Sequence, residues 1–297
     1  MKQYFGIDIG GTAVKLGIVD ETGRVLLKGE ESVSFDGYET PILTTVCKAA
    51  KAFVEAQNLS FAYEGGENIF SGLSFAAQPG EIIGVTGPVA CGKSTLGRTL
   101  IRMYEPTGGQ IIFDGEDITK LEGAKLQPYH KRMQIIFQDP YSSLSPRLPI
   151  GEIIGEAVRE HGLVPKEQFD DYITKVMKDC GLQEYHKDRY PHEFSGGQRQ
   201  RICIARALAL NPEFIVCDEP VSALDVSIQA QIINLLRDLQ KERGLTYLFI
   251  SHDLSVVEHI SDTVGVMYLG GMVESGETAD IFGNPLHPYT KALFSAI

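Results

Sequence analysis

Tryptophan is absent from this sequence of 297 residues, and cysteine occurs only five times. The cysteines are Cys47, Cys91, Cys180, Cys203 and Cys217. Because no two of them are closely spaced, the sequence predicts neither a cysteine zinc site nor a C-x-x-C redox pair. Free thiols in a reducing compartment are the simplest interpretation.

Long apolar runs are also missing. No stretch reaches the about 18 consecutive apolar residues of a membrane helix. Glycines interrupt the N-terminal segment before the apolar run of a signal peptide could form. These absences predict a soluble, cytoplasmic chain, and they are compatible with a chain that sits against a membrane protein.

Basic residues are fewer than acidic ones: the sequence has 27 Lys and Arg and 39 Asp and Glu, which gives a formal net charge of −12 at pH 7. An acidic chain does not attract nucleic acid through its overall field, although a local basic patch is compatible with these numbers. The length, with 43% hydrophobic residues, predicts one large or two ordinary domains with a buried core.

Two segments with different patterns meet near residue 53. Before it, residues 3–9 and 13–19 are apolar around Gly10-Gly11-Thr12, which predicts a hairpin, followed by a third strand at about 24–34 and a helix that begins at Pro41. After it, the alternation in residues 54–63 predicts that 53–57 begins a strand rather than ending that helix. We therefore predict two units, 1–52 and 53–297.

The larger segment alternates strands and helices. A strand pair is predicted between 72 and 87, and buried strands at 214–220 and 246–253 each follow helical sequence. This order is typical of an α/β fold with a parallel sheet covered on both faces. Between about 142 and 193 the strand signal disappears and amphipathic helical patterns replace it, so we expect a small helical subdomain inserted there.

The segment GPVACGKS, residues 87–94, fits the pattern G-x-x-x-x-G-K-[ST] between an apolar strand and a helix. In such a loop, backbone N–H groups and the helix N-terminus surround phosphate oxygens, Lys93 reaches the terminal phosphates, and Ser94 can ligate Mg²⁺. A plain glycine-rich turn between a strand and a helix is the alternative.

Two carboxylates, Asp218 and Glu219, end the apolar strand in FIVCDEP. At such a place one carboxylate can hold Mg²⁺ through water, and the next can act as general base for an attacking water. Taken alone, an acidic pair at a strand end is more often a solvated turn. Its occurrence downstream of a phosphate loop favours the catalytic interpretation.

The segment SGGQ, Ser195 to Gln198, opens a long amphipathic helix. Ser195 is a good N-cap, and Gly196 and Gly197 let a backbone approach an anion closely. The alternative is a capped helix start without further function.

In this order, the motifs from about 53 to 297 resemble the nucleotide-binding subunit of ATP-binding cassette (ABC) transporters, a P-loop ATPase domain with a helical subdomain. The resemblance implies that Tyr63 stacks on adenine, that Gln138 in IIFQDP contacts Mg²⁺, that SALD with Asp225 crosses a dimer, and that His252 in FISHD contacts the γ-phosphate. Taken alone, Tyr63 is compatible with a core tyrosine and His252 with a structural histidine.

The resemblance implies complete sets of site residues. The ATP contacts are Tyr63, Gly87, Pro88, Val89, Ala90, Cys91, Gly92, Lys93, Ser94, Thr95, Gln138, Ser195, Gly196, Gly197, Gln198 and Asp225. The catalytic residues are Glu219 and His252, and the Mg²⁺ ligands are Ser94, Gln138 and Asp218.

In the family two cassettes pack head to tail, and each ATP lies between the phosphate loop of one chain and the SGGQ helix start of the other.

Four segments are similar to ATPase subunits of oligopeptide and dipeptide importers, namely residues 138–147, 190–202, 217–236 and 284–297. That implies transmembrane permease subunits, a second ATPase subunit that is identical or a paralogue, an indirect link to a solute-binding protein, no nucleic acid, and a place on the cytoplasmic membrane face. The family's tail normally continues beyond Ile297, so the chain is expected to be cut short.

One departure lies in the phosphate loop, where Ala90 stands in place of the family's usual glycine. If that position needs a positive φ, alanine is strained by roughly 1 kcal/mol. Cys91 is expected to be a small filler, and an oxidation-sensitive thiol is the alternative if the helix start lowers its pKa.

The first glycine segment, GIDIGGT at 6–12 with Lys15, resembles the N-terminal phosphate hairpin of the ROK (repressor, ORF, kinase) sugar kinases, which have an actin-like fold. There Asp8 would lie near Mg²⁺ and residues 10–12 would face phosphate. We find no counterpart of that family's second lobe, catalytic aspartate or zinc cysteines. We therefore predict a remnant without catalysis, because an enzyme that works in a cleft needs both of its walls.

Three functions are weighed on this basis. A transporter ATPase is the predicted one. A soluble cassette ATPase acting on DNA or ribosomes is an alternative. The lack of sustained heptads between Ser94 and Ser195 argues against the DNA-acting type, and the single cassette argues against the ribosome-acting type. A glucose kinase, or a binding module derived from one, on residues 1–52 is the third.

Overall fold

A computed structural model describes residues 3–9, 13–20, 25–32 and 53–295. The first three ranges form an antiparallel sheet in the order β1-β2-β3: β1 (Gln3–Ile9), β2 (Ala13–Asp20) and β3 (Val25–Ser32). The three predicted strands are therefore confirmed. The predicted turn at Gly10-Gly11-Thr12, the helix from Pro41 and Cys47 lie outside the described residues.

A four-stranded antiparallel sheet follows, in the order β5-β4-β7-β8. It comprises β4 (Val54–Ala62), β5 (Asn68–Ala77), β7 (Gly108–Phe113) and β8 (Glu116–Asp117). Because β4 begins at Val54, the assignment of residues 53–57 to a strand is confirmed apart from the first residue. The alternating burial of β4 reflects a strand with one face on the core.

The largest sheet has six strands in the order β13-β12-β6-β11-β10-β9. They are β6 (Ile82–Thr86), β9 (Met133–Ile136), β10 (Phe214–Asp218), β11 (Thr246–Ile250), β12 (Thr263–Tyr268) and β13 (Gly271–Glu277). The first five named run parallel, and β13 pairs antiparallel with β12 at the edge.

Helices connect these strands. They are α1 (Lys93–Leu100), α2 (Gln127–Arg132), α3 (Pro140–Ser143), α4 (Ile150–Glu160), α5 (Phe169–Asp179), α6 (Gly196–Leu208), α7 (Val226–Arg243), α8 (Leu254–Ile260), α9 (Thr278–Gly283) and α10 (Pro288–Phe294). Helical elements alone occupy the chain between β9 and β10, which contains the predicted helical segment. Within residues 53–295, no helix combines the length and the apolar character that crossing a bilayer requires.

The core lies on both faces of the six-stranded sheet. Ile215 and Phe249 belong to a buried cluster shared with α4, α5, α6 and α7, whereas Val216 and Ile250 belong to a second cluster shared with α1 and the antiparallel sheet. Successive residues of β10 and β11 thus enter opposite clusters, as the pleat of a strand requires. This arrangement confirms the predicted α/β sheet with two covered faces.

One feature of the fold departs from the sequence prediction. The parallel sheet exists, but its edge strand β13 is antiparallel, and a separate antiparallel sheet covers one face. The bulges in β4 explain part of this difference. The pairing of β4 with β5 shifts between Ala56 and Leu59, where Asn58 has a φ of +50°, so the alternation that predicts β4 does not predict its register or its partners.

Candidate active site

The glycine loop joins β6 to α1 at the carboxyl end of a central parallel strand. A Cβ on Gly87 would lie 2.2 Å from the carbonyl oxygen of Met267, so only glycine fits at the start of the loop. Gly92 precedes α1 with a φ of +102°. The sequence thereby places the N-terminus of α1, with its unpaired N–H groups, directly under the cleft.

Lys93 is folded back over this loop. Its Nζ donates hydrogen bonds to the carbonyl oxygens of Gly87, at 2.9 Å, and Pro88, at 2.8 Å. The side chain is 5% exposed, so an ammonium group is held beside the backbone amides of the loop. This is the position from which a lysine can meet an anionic ligand.

Ala90 has a φ of +65°, so the loop does require a left-handed residue at this position. The strain expected for alanine therefore applies. Cys91 is 4% exposed, and burial raises the pKa of its thiol above the ordinary value, against the opposing effect of Lys93. The alternative of a thiol with a lowered pKa is wrong, and Cys91 fills space beneath the loop.

Asp218 ends β10 behind the loop and is 1% exposed. The Ser94 hydroxyl donates to its Oδ1 atom at 2.6 Å, and the Arg98 guanidinium lies 3.5 Å from its Oδ2 atom. Burial raises the pKa of the Asp218 carboxyl, while the hydrogen bond from Ser94 and the charge of Arg98 lower it in part. Arg98 was not among the residues expected at the site.

Glu219, the next residue, turns toward the cleft. Its backbone N–H donates to the carbonyl oxygen of Ile250 at 3.0 Å and its φ is +47°, so the chain leaves the strand in a left-handed conformation. Its Oε2 atom accepts a hydrogen bond from Gln138 Nε2 at 2.9 Å and lies 3.1 Å from Nδ1 of His252. Two polar side chains that follow other strands of the sheet, Gln138 and His252, therefore converge on this one oxygen of Glu219.

These groups line a cleft of about 510 Å³. Its walls are formed by Ile69, Val89, Ala90, Gly92, Lys93, Ser94, Thr95, Gln138, Glu219 and His252. Nine of these ten were expected from the sequence. Ile69 was missed, because an isoleucine in a strand carries no signal beyond that of a core residue. Gly87, Pro88, Cys91 and Asp218, which were also expected at the site, are not among the lining residues.

The remaining expected residues do not line this cleft. Tyr63 is 51% exposed and meets the ring of Tyr104 edge on, with centroids 6.0 Å apart. An exposed aromatic face at this place is compatible with base stacking. A fully buried core tyrosine, the alternative interpretation, does not describe it.

The SGGQ segment forms the N-terminus of α6, away from the lining of the cleft. Ser195 Oγ accepts a hydrogen bond from the N–H of Gln198, whose side-chain oxygen accepts one from the N–H of Ser195. A Cβ on Gly197 would lie 2.5 Å from Cγ2 of Ile228, in the helix that Asp225 caps. The SGGQ and SALD segments are therefore neighbours.

An apolar strand, a glycine loop, a lysine on the following helix and a buried aspartate at the end of another strand of the same sheet define a P-loop nucleotide-binding site. The family model described as "ABC transporter" matches residues 70–222, and the one described as "Oligopeptide/dipeptide transporter, C-terminal region" matches residues 273–297. The chain belongs to the ABC transporter family.

Curated relatives cover most of the chain. The oligopeptide transport ATP-binding protein OppF of Bacillus subtilis is 54% identical over 227 residues, which are 76% of this chain and 74% of that protein. The oligopeptide transport ATP-binding protein AppF of the same organism is 54% identical over 234 residues, 78% of this chain and 71% of that protein.

Solved structures share the fold. The cbiO1 protein of Clostridium perfringens, part of the ABC transporter complex cbiONQ, aligns with a TM-score of 0.72 at 27% identity over 78% of this chain and 91% of its own. The dimeric ATP-binding cassette MJ0796, in a post-hydrolysis state with ADP and Pi, aligns with a TM-score of 0.69 at 27% identity over 76% of this chain and 98% of its own.

Proposed function

We propose that this chain is the subunit that binds and hydrolyses ATP in an importer of oligopeptides or dipeptides. Two findings support the substrate class. The relatives with 54% identity are named for oligopeptide transport, and the C-terminal region of such transporters matches residues 273–297. Solute selection would lie in other chains, because the polar groups of this cleft suit a nucleotide.

The observation that carries the catalytic proposal is the convergence on Glu219. Its Oε2 atom is held by Gln138 and faces His252 at the edge of the cleft that contains Lys93. A carboxylate oriented in this way can align a water molecule and accept its proton, which is the role of a general base. Lys93 would stabilise the charge on the transferred phosphoryl group.

Ser94, Gln138 and Asp218 fit a Mg²⁺ ion by the chemistry of their donors, since hydroxyl, amide and carboxylate oxygens are the hard ligands that this cation takes. The short contact between Ser94 and Asp218 places a hydroxyl and a carboxylate within reach of one ion. When bound, Mg²⁺ would neutralise charge on the phosphate oxygens.

The SGGQ segment gives the reason for a second ATPase subunit. Ser195 and its neighbours do not line the cleft of their own chain, yet they present a capped helix N-terminus that suits an anion. We propose that they complete the site of a second copy or a paralogue, with Asp225 beside them. We further propose that permease subunits hold the pair on the cytoplasmic membrane face and that a solute-binding protein acts through them.

Substitution of Glu219 by Gln tests the catalytic assignment. Glutamine preserves the size of the side chain and loses the base, so we expect Mg²⁺-dependent ATP binding to persist while turnover falls by about 10²-fold or more. Glu160→Gln, on the exposed end of α4, is the matched control. Unchanged turnover in the Glu219 variant would contradict the catalytic assignment. Co-purification of the chain with ribosomes rather than with membrane subunits would favour a soluble cassette ATPase.

Residues 1–52 are proposed to be a separate unit, a kinase-like segment without catalysis, and 53–297 to be the ATPase domain. The support is the resemblance of GIDIGGT to the ROK hairpin together with the three antiparallel strands. We expect the full-length protein to form no glucose phosphate from glucose and ATP, and removal of residues 1–52 to leave ATP affinity within about twofold. Glucose phosphorylation that Asp8→Asn abolishes would contradict this proposal.

A further inference from the structure

One helix holds Asp218 from two sides. Ser94 and Arg98 lie one turn apart on α1, so their side chains project from the same face. The Ser94 hydroxyl donates to Oδ1 of Asp218 at 2.6 Å, and the Arg98 guanidinium lies 3.5 Å from Oδ2. A hydroxyl thus contacts one oxygen of the carboxylate and a positive charge faces the other.

The guanidinium of Arg98 also contacts a group of aromatic rings that lies outside the lining of the cleft. Its second amino group lies 3.3 Å from the hydroxyl of Tyr104, whose ring stacks on Phe61 at 5.4 Å and meets Tyr63 edge on. Within the described residues its buried Nε has no hydrogen-bond partner. Asp218 and Tyr104 are therefore the two groups that fix the guanidinium.

The two contacts on Asp218 are not equivalent once a metal is present. A Ser94 hydroxyl that turns toward Mg²⁺ no longer donates to Oδ1, and a buried carboxylate that loses its partners is destabilised. The contact of Arg98 with Oδ2 does not compete with the metal in this way. It can keep the carboxylate in place while Oδ1 faces the cleft.

We propose that Arg98 is a positioning residue for the Mg²⁺–nucleotide complex: it holds Asp218 through Oδ2 and anchors that contact on Tyr104. This inference rests on the proposed function. It assigns to Arg98 an effect on the part of nucleotide affinity that depends on Mg²⁺, and no direct contact with the nucleotide.

An ion pair at the opposite end of the same strand provides the matched control. Arg132 pairs with Glu213, immediately before β10, and also with Asp114. Its side chain is 31% exposed, close to the 34% of Arg98, and it is absent from the lining of the cleft. If Arg98 were merely a structural partner of a carboxylate on β10, both arginines would behave alike.

The test measures the affinity of the full-length protein for a fluorescent ADP, in Mg²⁺ and in EDTA, with thermal unfolding as a check of the fold. The ratio of the two dissociation constants reports the contribution of Mg²⁺. We expect Arg98→Gln to reduce this ratio about three- to tenfold, the effect of one partly exposed charged contact. Arg132→Gln should leave it unchanged, and Arg98→Lys should restore part of it.

Tyr104→Phe provides a second measurement that keeps Arg98 and removes its anchor. We expect a reduction of the ratio in the same direction and smaller. A wild-type ratio in both variants, or an equal loss of affinity with and without Mg²⁺ in either, would overturn the proposal. If the wild-type protein itself bound no nucleotide, the proposed function would fail instead.

Discussion

The carboxylate of Glu219 and the imidazole of His252 follow two neighbouring parallel strands and meet at 3.1 Å between Oε2 and Nδ1. The Glu219 side chain is 14% exposed, whereas that of His252 is 54% exposed. The carboxylate is thus sheltered at the edge of the cleft and the histidine covers it from the solvent side. In the proposed function, His252 would orient the carboxylate and contact the terminal phosphate of the nucleotide.

Substitution of His252 by Ala should therefore affect turnover more than binding. Glu219 would retain the hydrogen bond from Gln138 and lose its second contact. We expect kcat for ATP hydrolysis to fall by about ten- to hundredfold, with KM changed by less than about threefold, because alignment and not affinity is lost. Steady-state kinetics measure both quantities.

The control for this variant is His259→Ala, in which an exposed histidine at the end of α8 is removed. Its side chain makes none of the cleft contacts, so the kinetics should match those of the wild type. Equal kinetics for the His252 and His259 variants would exclude a role for His252 in hydrolysis.

Substitution of Ala90 by Gly should stabilise the protein. Ala90 has a φ of +65°, where a Cβ costs about 1–2 kcal/mol, and this gain exceeds the additional entropy of glycine in the unfolded chain. We expect the free energy of unfolding to rise by about 0.5–1 kcal/mol in denaturant titrations. In Ala157→Gly, inside α4, the same change should lower it by a similar amount. Effects of equal sign in the two variants would show that Ala90 is not strained.

Substitution of Glu81 by Gln should change how stability depends on pH. Burial is the main cause that raises the pKa of Glu81 above its ordinary value of 4.5, and the nearby carboxylates of Asp262 and Glu277 add to it. The folded protein therefore binds more protons than the unfolded chain between the two pKa values. The free energy of unfolding of the wild type then decreases as the pH rises through that window.

The Glu81 variant lacks this slope, so it should gain stability relative to the wild type from pH 4.5 upward. The carboxylate of Glu81 accepts hydrogen bonds from the N–H of Gln78 and from the Thr263 hydroxyl. Glutamine can keep the first bond through its side-chain oxygen, and its amide N–H can donate to the Thr263 hydroxyl in place of the second. Denaturant midpoints from pH 4 to 8 are the measurement, with the exposed Glu258→Gln as control. A wild-type slope in the Glu81 variant would assign the pH dependence to other groups.

The elements that the sequence predicted well are those that bury both faces. The strands β6, β10 and β11 are entirely buried, so they occur as continuous apolar runs between loops. The antiparallel sheet was only partly anticipated. The alternation in residues 54–63 predicts β4 itself, but the bulge at Asn58 shifts its register, so the sequence does not reveal which strands pair with it.

The site shows the same division. Short sequence motifs predict four residues of the site, which are Lys93, Ser94, Asp218 and Glu219. Arg98 belongs to no such motif, and in the sequence it is one polar residue of an amphipathic helix. Its contact joins residues 120 positions apart, which only the packing of α1 against β10 reveals. The left-handed conformation of Glu219, which aims its side chain into the cleft, is likewise a property of the fold.

The position of SGGQ outside its own cleft leads to a prediction about assembly. We propose that Ser195 and Gly196 of one chain complete the cleft that contains Lys93 of another. A dimer of two different variant chains, one defective in Lys93 and the other in Gly196, would then retain one cleft with neither defect. Lys93→Ala removes the ammonium group from one wall. Gly196→Asp places a negative charge at the start of α6, where it favours the helix but repels phosphate, and a Cβ there meets only Leu224, at 3.4 Å.

Each variant alone should hydrolyse ATP at a small fraction of the wild-type rate. In an equimolar mixture, about half of the dimers would contain one chain of each kind, and one of their two sites would have both intact walls. The mixture should therefore recover about a quarter of the wild-type activity, and dilution should abolish the recovery as dimers dissociate. A mixture of folded variants that stays inactive at high concentration would contradict completion of the cleft by a second chain. Wild-type activity of the Gly196→Asp variant alone would show that the SGGQ helix is no more than a capped helix start.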